Sequence, residues 1–156
     1  MTNPLDEITA ELRIRSLVAR YSDGVNRRDA AAWGDTWAKA GCWKILGKTV
    51  TGREEIVAHW AGLMDTLDFV LQQTTCGLVE FPPPAGTEAS ATGRWYIHEI
   101  SKRPGRDSTL FGCYHDTYVH EDGAWRFSER RLDIIFASPQ ELPGKVFPFP
   151  ADPGGS

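Results

Sequence analysis

The chain has 156 residues, room for one domain that buries about 70% of its unfolded surface. Its 17 basic and 21 acidic residues are spread along the chain, and the longest arginine cluster, Arg130-Arg131, is a pair, which argues against nucleic acid as a partner. Cys42, Cys76 and Cys113 are odd in number, with no Cys-x-x-Cys pair, and no apolar run approaches the roughly 20 residues needed to cross a bilayer. No basic-then-apolar leader opens the sequence, so the expectation is a cytoplasmic protein in a reducing compartment that engages no membrane.

Asn3-Pro4 with Asp6 and Glu7 reads as a helix start, a capping side chain followed by proline and by acids in the first turn. Ile14, Leu17, Val18, Tyr21 and Val25 then recur at helical spacing, which sets Tyr21 on the apolar face. Asp29 caps a second helix carrying Trp33 and Trp37 one turn apart, and residues 42–50 shorten to a small strand or hairpin broken at Gly47. Thr51-Gly52-Arg53-Glu54 has the form of a capping box, and the helix it opens aligns Ile56, Trp60, Leu63, Met64 and Leu67 on one stripe.

From there the period changes to strands, about 69–81, 89–101, 108–120 and 124–136, separated by Pro82-Pro83-Pro84-Ala85-Gly86, by Arg103-Pro104-Gly105-Arg106 and by Asp122-Gly123. Three helices and then an antiparallel sheet make an α+β domain over residues 1–138, with helices covering one face of a curved sheet. Residues 139–156 are a tail rich in proline and glycine. Its Val146, Phe147 and Phe149 cover a pocket mouth, or the tail is simply disordered after about residue 150.

Strand alternation puts Tyr114, Asp116 and Tyr118 on one face and Cys113 and His115 on the other. Asp116 is then an acid, base or oxyanion donor in an enclosed cavity, or the ion-pair partner of Arg94, Arg126 or Arg130. On the preceding strand His98 shares a face with Arg94, Tyr96 and Ile100, and imidazole titrates near neutrality, which makes it a candidate base. Glu99 alternates with His98, so one of the two faces the cavity. Two ligand types at strand spacing, such as Cys113 and His115, do not make a metal site.

Tyr21-Ser22-Asp23-Gly24-Val25-Asn26-Arg27-Arg28-Asp29, Thr51-Gly52-Arg53-Glu54-Glu55-Ile56 and the Gly112 to Ser128 hairpin together resemble the SnoaL-like branch of the nuclear transport factor 2-like (NTF2-like) superfamily, over roughly residues 5–136. The resemblance implies a cone of curved sheet and three helices around an apolar pocket, assembled as a homodimer or homotrimer. In the dehydrochlorinase and scytalone dehydratase members it implies an aspartate and histidine dyad, which here falls on Asn26 and Gln72, or Gln73 if the register slips by one. An amide has no basic lone pair that holds a proton near neutral pH, so that dyad chemistry is absent. The same likeness lays a pocket tryptophan on Trp43 and a pocket arginine on Arg130. Ketosteroid isomerases, a more distant branch, lay their oxyanion-hole tyrosine on Tyr21, their protonated aspartic acid on Asp116 and their general base on Ile45.

The expectation is therefore a lyase or isomerase for a small hydrophobic cyclic or aromatic, polyketide- or steroid-like compound, working without metal or organic cofactor. Tyr21 and Asp116 stabilise charge on oxygen, and His98 or Asp23 moves the proton. Asn26, Trp43, Gln72, Tyr114 and Arg130 hold the ligand. Two alternatives use the same residues: a module that binds a small molecule without converting it, and the small subunit of a ring-hydroxylating oxygenase.

Overall fold

The structure is a computed structural model that describes residues 4–82 and 90–150; the Asn3 cap, most of the proline break after residue 81 and the end of the tail lie outside the described residues. Helix α1 (Pro4–Arg27) buries the expected stripe, with Ile14, Leu17, Val18, Tyr21 and Val25 each at most 3% exposed. It stops in a Schellman turn. Arg28 takes the left-handed conformation at φ 55, Asp29 N–H donates to Gly24 O (3.0 Å) and Arg28 N–H to Val25 O (3.1 Å). Asp29 then caps α2 (Ala30–Gly34) by accepting from Ala32 N–H at 2.9 Å.

Helix α2 is shorter than expected: Trp37 is not on it but opens strand β1 (Trp37–Ile45). The helix closes at Gly34, where a side chain would run into Val57, and the Thr36 hydroxyl donates to Trp33 O at 2.6 Å as the chain turns away. The two indoles still meet, with ring centroids 5.7 Å apart. A tight turn at Leu46-Gly47, both at positive φ, leads to β2 (Lys48–Thr51), as the sequence pattern requires. The capping box does not form. Thr51 is the last residue of β2, paired with Cys42, and Gly52 at φ 91 is the cap of α3 (Arg53–Met64), with no side-chain cap bond.

Four long strands follow: β3 (Phe69–Glu80), β4 (Ser90–Lys102), β5 (Ser108–Glu121) and β6 (Ala124–Pro139). The sheet order is β2-β1-β6-β5-β4-β3, antiparallel except for the parallel β1–β6 pair, so the hairpin β1–β2 is spliced into the sheet between α2 and α3 rather than all helices preceding it. Register shifts at Thr74/Gly77, Phe111/Gly112 and Thr117/Tyr118 bend the long strands around the helices. Gly77 admits the Trp95 ring, whose Cε3 lies only 2.2 Å from where a β-carbon would be.

The core lies between the sheet and the helices and is largely indole. Trp33 stacks on Trp60 (4.7 Å, 13°) and meets Trp43 edge-on at 5.4 Å, contacts worth about 0.5–1.5 kcal/mol each beyond area burial. After Pro139 the chain returns along the connection between β4 and β5: Gln140 N–H donates to Asp107 O (3.1 Å), Leu142 N–H to the Asp107 carboxylate (3.3 Å), and Lys102 Nζ holds both Leu142 O and Asp107. Phe149 lies under the Arg27 guanidinium at 5.0 Å. No helix among the described residues is long and apolar enough to cross a membrane.

Candidate active site

One end of the core opens into a cavity of about 390 Å³. Its floor is Tyr21, Gln72 and Tyr114, its walls include Trp43, Trp60, Leu67, Leu110 and Leu132, and Glu99, Arg103 and Arg106 bring charge to it. Strand register builds the polar part. Gln72 of β3 lies directly across from Glu99 of β4, and their side chains meet: Gln72 Nε2 donates to Glu99 Oε2 at 2.9 Å and to the Tyr114 hydroxyl at 3.3 Å. Tyr21, six residues before the end of α1, brings its hydroxyl to 3.5 Å from that of Tyr114.

Burial sets the electrostatics of the cluster. It raises the Glu99 carboxyl above the ordinary carboxylate range, against the opposing hydrogen bond from Gln72 and the charge of Arg103. It likewise raises Tyr21, opposed by Arg130, and raises Tyr114 further. The two phenols therefore stay protonated as hydrogen-bond donors, while Glu99 is a carboxyl able to exchange a proton closer to neutrality.

Asp116 does not enter the cavity. It stands opposite Arg130 in the β5–β6 register and takes both arms of that guanidinium at 2.8 Å, Oδ1 from Nε and Oδ2 from Nη2. Oδ2 also accepts from the Tyr118 hydroxyl (2.7 Å), which accepts from Trp95 Nε1 (2.7 Å). With both oxygens accepting, the carboxylate has no proton to give an oxyanion, and the expectation of an acid in the pocket gives way to the ion pair with Arg130. Arg130 is equally remote from the ligand space. It lies beneath the floor, 4.2 Å from the Tyr21 ring, 4.0 Å from Tyr114 and 4.0 Å from Phe127, and so supports the tyrosines from behind.

Asn26 is also withdrawn from the cavity, because both ends of its amide are used on the Gln72 main chain: Nδ2 donates to Gln72 O (2.9 Å) and Oδ1 accepts from Gln72 N–H (2.7 Å). Asp23 points to solvent. His98 is on the outer face of the sheet, stacked on Phe111 at 4.5 Å and 4°, with Nε2 3.0 Å from Thr109 Oγ1. Of the expected site residues the cavity gathers Tyr21, Trp43, Gln72 and Tyr114, and leaves out Asp23, Asn26, His98, Asp116 and Arg130. Val146, Phe147 and Phe149 do not line it either; Ala137, Ser138 and Pro139 at the end of β6 do.

Of the alternating pair His98 and Glu99, it is Glu99 that faces the cavity. Its signal was the alternation itself, since Trp95 and Ile97 share its face and are 5% and 2% exposed. Tyr96 and Ile100 made the opposite face look equally apolar. Among the described residues no three histidine, cysteine, aspartate or glutamate side chains cluster as a metal would require.

The description of a SnoaL-like domain matches residues 6–131. Among solved structures, a type 2 hexachlorocyclohexane dehydrochlorinase (LinA) superposes with a TM-score of 0.78 at 22% identity, covering 97% of this chain and 99% of that one. A putative scytalone dehydratase from Novosphingobium aromaticivorans superposes at 0.73 with 19% identity over 88% and 90% of the two chains. A protein of unknown function from Mycobacterium tuberculosis does so at 0.72 with 27% identity over 85% and 76%. No curated protein matches the chain significantly. With the family match spanning the helices, most of the cavity lining and most of the sheet, the chain belongs to the SnoaL-like domain family and carries the NTF2-like fold.

Proposed function

We propose that the chain is a cofactor-independent lyase or isomerase for a small hydrophobic ring compound, with Glu99 as the group that carries the proton. The observation that carries this reading is the Gln72-bridged pair of Glu99 and Tyr114, a partly buried carboxyl and a protonated phenol side by side in an apolar cavity. A carboxyl so placed takes a proton from carbon, and the phenols of Tyr114 and Tyr21 donate to the oxygen on which charge then develops. Gln72 orients Glu99 and Tyr114, and Trp43 shapes the apolar wall. The names of two neighbours of the same fold, a dehydrochlorinase and a putative scytalone dehydratase, are those of elimination enzymes, which is the reaction class this pairing serves. The family resemblance lays the dyad on Asn26 and on Gln72 or Gln73, all amides, so in this reading the carboxyl has moved from α1 to β4.

The same proposal has the chain assemble with further copies of itself in the cytoplasm through the outer face of the sheet, where Tyr96, Phe111 and Phe136 are 41%, 44% and 53% exposed. A second reading, binding without conversion, draws on one observation: the Asn26 amide is spent on backbone, so α1 contributes no proton carrier.

A panel of ring ketones and alcohols separates the two readings. The catalytic reading expects at least one compound to be converted, followed by mass spectrometry, with the rate falling roughly 100-fold in Glu99→Gln. Compounds that raise the melting temperature and are recovered unchanged favour the binding module.

A further inference from the structure

Two arginines, Arg103 and Arg106, line the cavity together with one carboxyl, Glu99. Arg103 and Arg106 are the ends of a turn with Pro104 second and Gly105 third at φ 73, closed by Arg106 N–H to Arg103 O at 3.0 Å, the pattern of a type II turn. This turn hangs both side chains on the cavity rim. Four arginines elsewhere in the fold are engaged: Arg130 with Asp116, Arg53 with Trp37 O and Glu121, Arg126 with Asp35, and Arg131 with Asp133. The one carboxylate of the turn region, Asp107, is held by Lys102 at 2.8 Å. Arg103, by contrast, makes no side-chain hydrogen bond or ion pair within the described residues, and its Nε is buried without a partner. The charge of Arg103 reaches Glu99, but two guanidinia face the cavity against that single carboxyl, an excess of positive charge that an anionic ligand would balance.

We infer that the cavity takes an anionic ring compound, its carboxylate gripped by the Arg103 fork with Arg106 beside it, and its ring against Leu67, Leu110 and Leu132; the inference builds on the reading of Glu99 as the proton carrier. The guanidinium fork matches a carboxylate with two parallel hydrogen bonds, which neither an amide nor an ester reproduces. Glu99 and Arg103 are four residues apart, about 13 Å of extended chain, and the reach of their two long side chains shortens this to the length of a bicyclic acid. The cavity is large enough for such a ring.

The test is calorimetric titration of the full chain with β-naphthoate and with its neutral analogue β-naphthamide. The acid is expected to bind at least about tenfold more tightly, and Arg103→Gln to remove most of that preference. Arg103→Lys, which keeps the charge and loses the fork, retains part of the preference and serves if the glutamine variant folds poorly. Equal or tighter binding of the amide, no binding of the acid at about millimolar concentration, or an Arg103→Gln variant that keeps most of the preference for the acid overturns the inference. Glu99→Gln keeps the preference for the acid, so a failed anion site and a failed proton carrier give different results.

Discussion

Asn26 grips the backbone of Gln72 at both its N–H (2.7 Å) and its C=O (2.9 Å), which leaves the Gln72 side chain to reach Glu99 at 2.9 Å. The end of α1 is thereby fixed to the strand that carries the site. Asn26→Ala leaves a donor and an acceptor of β3 unpaired, and is expected to cost about 1–3 kcal/mol in urea denaturation and to loosen Gln72. A change within about 0.5 kcal/mol would show that water replaces the clasp without loss.

Asp116 and Arg130 make the corresponding prediction for the buried charge pair. Asp116→Asn leaves Arg130, 1% exposed, without its counter-charge among three aromatic rings, and is expected to destabilise the fold by about 3–5 kcal/mol. Chemical denaturation measures this directly. A variant of full stability that has lost turnover would instead return Asp116 to the chemistry.

Glu99 gives stability a definite pH dependence. Its folded-state value lies above the ordinary 4.5, so between that pH and the raised value the folded chain binds more protons than the unfolded one. The contribution of Glu99 to stability is therefore greatest below the ordinary value and is lost as pH rises through the folded one. Comparing the wild type with Glu99→Gln across this window, the slope attributable to Glu99 is expected to vanish in the variant, which becomes relatively more stable toward neutral pH. Parallel curves for the two proteins would place the Glu99 carboxyl in water.

The fold and the site were legible in the sequence to different degrees, for physical reasons. Helical and strand periods, the Pro104-Gly105 and Asp122-Gly123 turns and the aromatic stripe are local signals, and they located α1, α3 and the four long strands to within a few residues. The end of α2 was missed because Trp33 and Trp37 have helical spacing by coincidence: one is on the helix and the other on β1, and it is tertiary packing that brings their rings together. The site depends on register. That Gln72 opposes Glu99 and Asp116 opposes Arg130 is a property of strand pairs distant in sequence, and alternation alone left the faces of His98 and Glu99 undecided.

In the proposed function Glu99 moves a proton between ligand carbon and solvent. Exchange of the α-hydrogens of β-tetralone in deuterium oxide, followed by proton NMR, reads this step without knowledge of the natural substrate. Exchange above the buffer rate is expected with the wild type, rising with pH as the raised Glu99 carboxyl ionises and falling about 100-fold in Glu99→Gln. Exchange that is undiminished in Glu99→Gln, or absent while the ketone is bound, contradicts that role of Glu99.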